Sequence, residues 1–172
     1  MSTVDRRPGP HGVRGVVASA AAVVLASVLT SCGAPEIESV DLDEADTAAC
    51  RDLLAALPDS VAGHDRVDVE PEDALGAAWG DPALVLTCGA EEPEYDETWQ
   101  CEVALGVGWL APPDLLEADQ QDEDITVWAV SHDPLVSLEI PADYRPDGVA
   151  EALADLAGPL SDSLEEADAT CL

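Results

Sequence analysis

Ile125-Thr-Val-Trp-Ala-Val130, Ser131-His-Asp-Pro134 and Leu135-Val-Ser-Leu-Glu-Ile140 form the stretch that decides the fold. Two short apolar runs flank a polar turn that ends in proline, the pattern of a β-hairpin. Polar and apolar residues alternate along 135–140, as in a strand with one buried and one wet face. Working outward, Ala83-Leu-Val-Leu-Thr-Cys88 is bounded by Asp81-Pro82 and Gly89 and reads as a central strand. Arg66-Val-Asp-Val-Glu70 alternates as a half-buried strand, and Trp99 to Val107 supplies one or two more.

Helical periodicity brackets these strands. Over 46–57, Cys50, Leu53, Leu54 and Leu57 share one face, and Pro58 ends the run. Pro146 suits the first turn of a second helix. Val149, Leu153, Leu156, Leu160 and Leu164 then form its apolar stripe, with Gly158-Pro159 expected to kink it. The order predicts an α+β domain: an antiparallel sheet of about five strands, N- and C-terminal helices packed on one face, and two disulfides. The chain has no Phe, so Trp79, Trp99, Trp109, Trp128 and Tyr144 are expected as the large core pieces.

Upstream of this domain lies a different kind of sequence. Residues 1–14 are polar and carry Arg6, Arg7 and Arg14, and residues 15–30 are almost wholly apolar or small. These are the first two regions of a signal peptide, and sixteen residues is short for a membrane span, which takes about 20. Leu29-Thr-Ser-Cys32-Gly33 follows, with the residues and spacing of a bacterial lipobox. Asp5 before Arg6-Arg7 and Pro8-Gly9-Pro10 after it argue against a twin-arginine signal. The expected organisation is a signal peptide over 1–31, a lipidated Cys32 with an acidic spacer over 32–45, and a single α+β domain over 46–172. As a coil the spacer would reach about 20 Å, beyond the ~8 Å screening length, and hold the domain clear of the membrane. The expected location is the cell membrane, lipid-anchored on its extracytoplasmic face.

Setting Cys32 aside leaves Cys50, Cys88, Cys101 and Cys171, an even number for an oxidising compartment. Of the three possible pairings, the expected one joins Cys88 to Cys101 and Cys50 to Cys171. Loop closure assigns these bridges roughly 3 and 4–5 kcal/mol.

The formal net charge is −31, with 37 acidic residues against 6 basic ones. Only Arg51, Arg66 and Arg145 are basic beyond the leader, and there is no Lys. Nucleic acid is excluded as a partner because no set of residues can neutralise phosphates. Acidity of this degree keeps a domain soluble and monomeric at some cost in self-repulsion.

No residues stand out as catalytic. Ser131-His132-Asp133 has the letters of a triad, but neighbours in an extended chain point to opposite faces, so it reads as a polar turn. His64, between Gly63 and Asp65, reads as solvated. Asp119, Asp122, Glu123 and Asp124 lack the order of a calcium loop and read as a solvated acidic stretch. Trp79 and Trp109 sit beside glycines, so a groove lined by them is weighed against a core role. No metal and no cofactor is expected.

Ala78-Trp-Gly-Asp-Pro82, the strand ending Cys88-Gly89, Gly106-Val-Gly-Trp109, Val136-Ser-Leu-Glu-Ile-Pro141 and Cys50-x-x-Leu53 with Leu57-Pro58 together resemble an uncharacterised family of actinobacterial lipoproteins, a domain of unknown function. The resemblance covers most of 48–165. It departs where that family tends to carry basic residues, since Thr87 precedes Cys88-Gly89 and His132 lies near the second such place. It implies a unitary fold and an extracytoplasmic address, and it implies no activity. The expected function is that of a non-catalytic, membrane-anchored envelope protein that contacts another envelope protein. The alternative is a binding module for a cation, a cationic solute or a cell-wall fragment.

Overall fold

Asp43 starts the first helix. Its carboxylate accepts the backbone N–H groups of Ala45 and Asp46 at 2.8 and 3.0 Å, satisfying two donors that the helix itself cannot. Helix α1 therefore spans Glu44–Ala56, opening two residues before the apolar periodicity. Cys50 and Leu53 are buried on its inner face, and Leu57 is buried just past its end.

The computed structural model describes residues 33–115 and 121–167. The chain divides into two units, Met1–Cys32 and Gly33–Leu172, and the second carries the fold. After α1 come β1 (Ser60–Val61), β2 (His64–Val67), β3 (Gly76–Trp79), β4 (Leu84–Cys88), β5 (Gln100–Ala104) and β6 (Val107–Ala111). These are followed by β7 (Ile125–Ala129), β8 (His132–Asp133), β9 (Val136–Ile140), α2 (Asp147–Ser163) and β10 (Glu165–Glu166). Eight strands form one sheet in the order β1-β2-β3-β4-β9-β7-β6-β5, with every pairing antiparallel. The 125–140 hairpin forms, with Val127 opposite Leu138 and Trp128 opposite Ser137. Its tip does more than turn: β8 pairs separately with β10.

The expected five-strand sheet with two disulfides, Cys88–Cys101 and Cys50–Cys171, is corrected. The sheet has eight strands, and the disulfide seen among the described residues is Cys50–Cys88. Two of the additional strand pairings are tight hairpins turning at Ala62-Gly63 and Leu105-Gly106, with positive φ at all four residues. Two-residue turns of this hand normally advertise themselves as Asn-Gly or Asp-Gly. Ala and Leu at the first position conceal them. β3 is hidden for another reason, since all four of its residues are buried and it shows no alternation.

The inner sheet face carries Trp79, Leu84, Leu86, Val107, Trp109, Val127, Leu138 and Ile140, each fully buried. Helices α1 and α2 pack on each other, α1 against β3 and α2 against β1, β5 and β6. Val149, Leu153, Leu156 and Leu160 form the buried stripe of α2. Trp79 and Trp109 are core residues and line no groove. Trp99, Trp128 and Tyr144, expected in the core, are only half-buried.

Cys50 and Cys88 have Cα atoms 5.6 Å apart. Their bond leaves no place for either expected pairing, because α1 crosses the sheet at the end of β4 and sets Cys50 over Cys88. Among the described residues no helix is long and apolar enough to cross a membrane.

Residues within 33–45, expected as a free spacer, are held against the body. Glu36 bridges Glu70, the Ile37 N–H donates to the Glu70 carbonyl at 2.8 Å, and the Glu70 N–H donates to the Pro35 carbonyl. The Val40 N–H donates to the Gly89 carbonyl at 2.8 Å, and Ile37 is 4% exposed. One buried isoleucine in an acidic run suffices to fasten it, because backbone bonds on both sides fix its register. The ~20 Å reach of a free coil therefore does not apply to this belt.

Candidate functional site

The outer face of the sheet is where α1 and α2 do not pack. Strand alternation places Val85 and Thr87 of β4, Thr126 and Trp128 of β7, and Ser137 and Glu139 of β9 on it. Register aligns these into rows. Thr87 lies opposite Ser137 and Ser137 opposite Trp128, while Val85, Glu139 and Thr126 form the next row.

The belt and the segment after β4 turn this face into a cleft. Glu36 and Glu38 wall one side, Ala90 and Glu91 another, and Thr87, Thr126, Trp128, Ser137 and Glu139 line the rest of a space of about 350 Å³. Trp128 is fixed in place. Its indole N–H donates to the Glu91 carbonyl at 3.1 Å, and its ring lies 5.7 Å from that of Trp99 at a 49° tilt. Ser137 is 9% exposed and is one of the residues that line this space.

Across the Gly89–Pro93 segment lies a second, more apolar groove of about 590 Å³, whose wall includes Leu42, Tyr95, Leu110, His132 and Leu135. His132 is buried. Burial lowers its pKa from the ordinary 6.5, and the charge of Glu166, its register partner, offsets part of that shift. Ser131 Oγ lies 2.9 Å from His132 Nδ1 and accepts the Gly108 N–H at 2.8 Å. These neighbours do meet, contrary to the opposite-faces argument, because the chain turns between β7 and β8. The contact locks the turn: the serine oxygen is already engaged, and Asp133 is exposed and faces Glu165 in register rather than relaying to the histidine. Nearby, Asp46 has its pKa raised by partial burial and then by the charges of Asp43, Asp133 and Glu165.

The other expected site residues are scattered. Cys32 and Cys171 lie outside the described residues. Cys101 is disulfide-bonded and lies on the apolar groove. His64 is not merely solvated, since its ring stacks on Tyr144 with centroids 3.9 Å apart. In the acidic stretch, Asp119 is outside the described residues, Asp124 accepts the Ala142 N–H at 2.8 Å, and the Glu123 carbonyl accepts from Arg145. Among the described residues no three His, Cys, Asp or Glu converge to hold a metal ion.

Sequence reasoning missed the cleft. The period-2 polar positions of β4, β7 and β9 were its signal, but a wet strand face is ordinary until something walls it. A family model for proteins of unknown function matches residues 12–169. No curated protein and no solved structure matches the chain.

Proposed function

The chain belongs to the family described as Protein of unknown function (DUF3515), and on that footing we propose that it is a membrane-anchored extracytoplasmic protein that works by contact rather than catalysis. The observation that carries this reading is the Cys50–Cys88 disulfide behind a leader that ends in a lipobox. Such bonds persist in oxidising compartments and are rare in the cytosol. The family match begins at Gly12 and so takes in the apolar leader and Cys32. Two acyl chains on that cysteine would give stable attachment at ~0.8 kcal/mol per buried CH₂. A contact role fits a surface whose Ser131–His132 contact is spent on locking a turn, and whose open sheet face is walled by carboxylates.

The test compares the full chain with Cys32→Ser in a bacterial host. Wild type should partition into the detergent phase, with its mature amino terminus at a diacylglyceryl-modified Cys32 by mass spectrometry. The variant should remain uncleaved or partition into the aqueous phase. Identical partitioning of the two, with an intact Met1, would falsify the anchor. Crosslinking on intact cells should then recover a reproducible envelope partner, and failure to recover one would count against the contact role.

A further inference from the structure

We propose that the last residues of the chain, 168–172, form a strap that closes the apolar groove beside the Gly89–Pro93 segment, fastened by a disulfide between Cys171 and Cys101. The proposal rests on the oxidising compartment of the preceding reading and goes beyond it; it depends on neither the anchor nor a partner.

Cys101 carries the argument. It lies on β5, lines the groove and is disulfide-bonded. Cys50 and Cys88 are joined to each other, which leaves Cys32 and Cys171, of the chain's five cysteines, as candidates for its partner. Both lie outside the described residues, and the fold chooses between them. Cys32 is two residues from Ala34, which lines a different groove with Val69 and Glu70, and the next residue's carbonyl, that of Pro35, accepts the Glu70 N–H. The strand order separates β3, which follows Glu70, from β5 by five strand spacings, about 24 Å along the sheet. Two residues of extended chain cover about 7 Å. Cys32 therefore falls well short.

The other end of the chain is delivered to the right place. β10 pairs with β8 at the hairpin tip, and the Ala167 N–H donates to the Ser131 carbonyl at 2.9 Å. Ala167 lines the same groove as Cys101. The four residues from Ala167 to Cys171 reach about 14 Å at full stretch, on the scale of a groove of about 590 Å³. The segment Asp168-Ala-Thr-Cys-Leu172 ends in an apolar residue, and the groove offers Leu42, Leu110 and Leu135 for it to cover. Closing the strap joins two thiols into one S–S bond. Their two protons and two electrons pass, by way of a mixed disulfide, to the disulfide of an extracytoplasmic oxidoreductase, which becomes a dithiol. The groove is covered while the bond is oxidised and uncovered on reduction, so the redox state sets which apolar surface the domain presents.

The test has two arms, both on the full chain purified in detergent from a host that exports it. In the first, native protein is alkylated with iodoacetamide, cleaved at acidic residues without reduction, and its linked peptides sequenced by mass spectrometry. A peptide pair joining Cys101 to Cys171 is expected. A bond from Cys101 to Cys32 or to a second copy, or an alkylated Cys101, overturns the proposal. In the second, hydroxyl-radical footprinting reads side-chain exposure at Leu42, Leu110 and Leu135, all half-buried. Deletion of 168–172, and separately Cys171→Ala, should raise labelling at these leucines several-fold. Leu54 and Val85, half-buried on other surfaces, should stay unchanged. Cys101→Ala, which keeps the chain at full length, covers the case in which the deletion disturbs folding, and should give the same pattern. Labelling of the three leucines that is equal in wild type, the deletion and both cysteine variants overturns the strap. Cys32→Ser material that loses its anchoring and keeps the Cys101–Cys171 peptide leaves the strap standing, so the two readings fail separately.

Discussion

Ile37 sits on Gly76: a β carbon added to that glycine would lie 2.7 Å from the Ile37 Cδ1 and would also press on the Leu86 carbonyl oxygen. The belt can lie on the sheet because β3 has no side chain at this point. Gly76→Ala should therefore destabilise the fold by about 1–3 kcal/mol, the usual cost of forcing a methyl into a packed site. Its sharper signature should be faster amide hydrogen exchange at Ile37 and Glu70, whose bonds fasten the belt. Unchanged exchange at those two amides would mean that the belt is held by something else.

The Cys50–Cys88 bridge closes a loop of 38 residues. Loop-closure entropy assigns such a bridge about 4 kcal/mol. Replacing both cysteines by alanine should lower stability by that order, read from the urea midpoint under non-reducing conditions. A midpoint indistinguishable from wild type would show that the two sulfurs are not joined in the native protein.

His132 should make stability fall in mild acid. Its folded pKa is depressed, first by burial, while the unfolded chain keeps the ordinary 6.5. As the pH drops through about 6.5 the unfolded chain takes up its proton first, so the unfolded state gains and the native state loses. The contribution is fully present above that value and declines below it. His132→Gln should flatten the slope of urea midpoint against pH over that interval. Equal slopes in the variant and the wild type would assign the dependence to other groups.

The fold was partly legible in the sequence, and the failures have physical causes. α1, β4, β7 and β9 each bury one face, so their periodicity stands out in Cys50, Leu53 and Leu57 and in the alternation around Leu86, Val127 and Leu138. β3, Gly-Ala-Ala-Trp, is small-residued and buried throughout, so neither period nor propensity marks it. β10 consists of two exposed glutamates and exists only because the β8 tip offers it a partner. The disulfide was misassigned because nearness in sequence favoured Cys101 for Cys88, whereas the helix crossing brings Cys50 there instead. The cleft was invisible for a related reason. Ser137 and Glu139 read correctly as wet-face residues, but the walls come from residues 36–38 and 90–91, and only tertiary packing lays those beside them.

Among the described residues β5 is the last strand at one rim of the sheet. Among the described residues β5 pairs only with β6, and four of its five residues are exposed. Val103 and Leu105 are 64% and 76% exposed. A strand rim of this kind invites a second copy to dock edge to edge, and many proteins guard theirs with lysines, which this chain lacks. Here the guard is collective: at −31 apiece, two approaching molecules repel before their backbones can meet. That protection is borrowed from the solvent, and it fades as acid brings the molecule toward its isoelectric point near 4.1. A pH near 4 is thus the condition under which this protein's resistance to fibrous self-assembly is weakest.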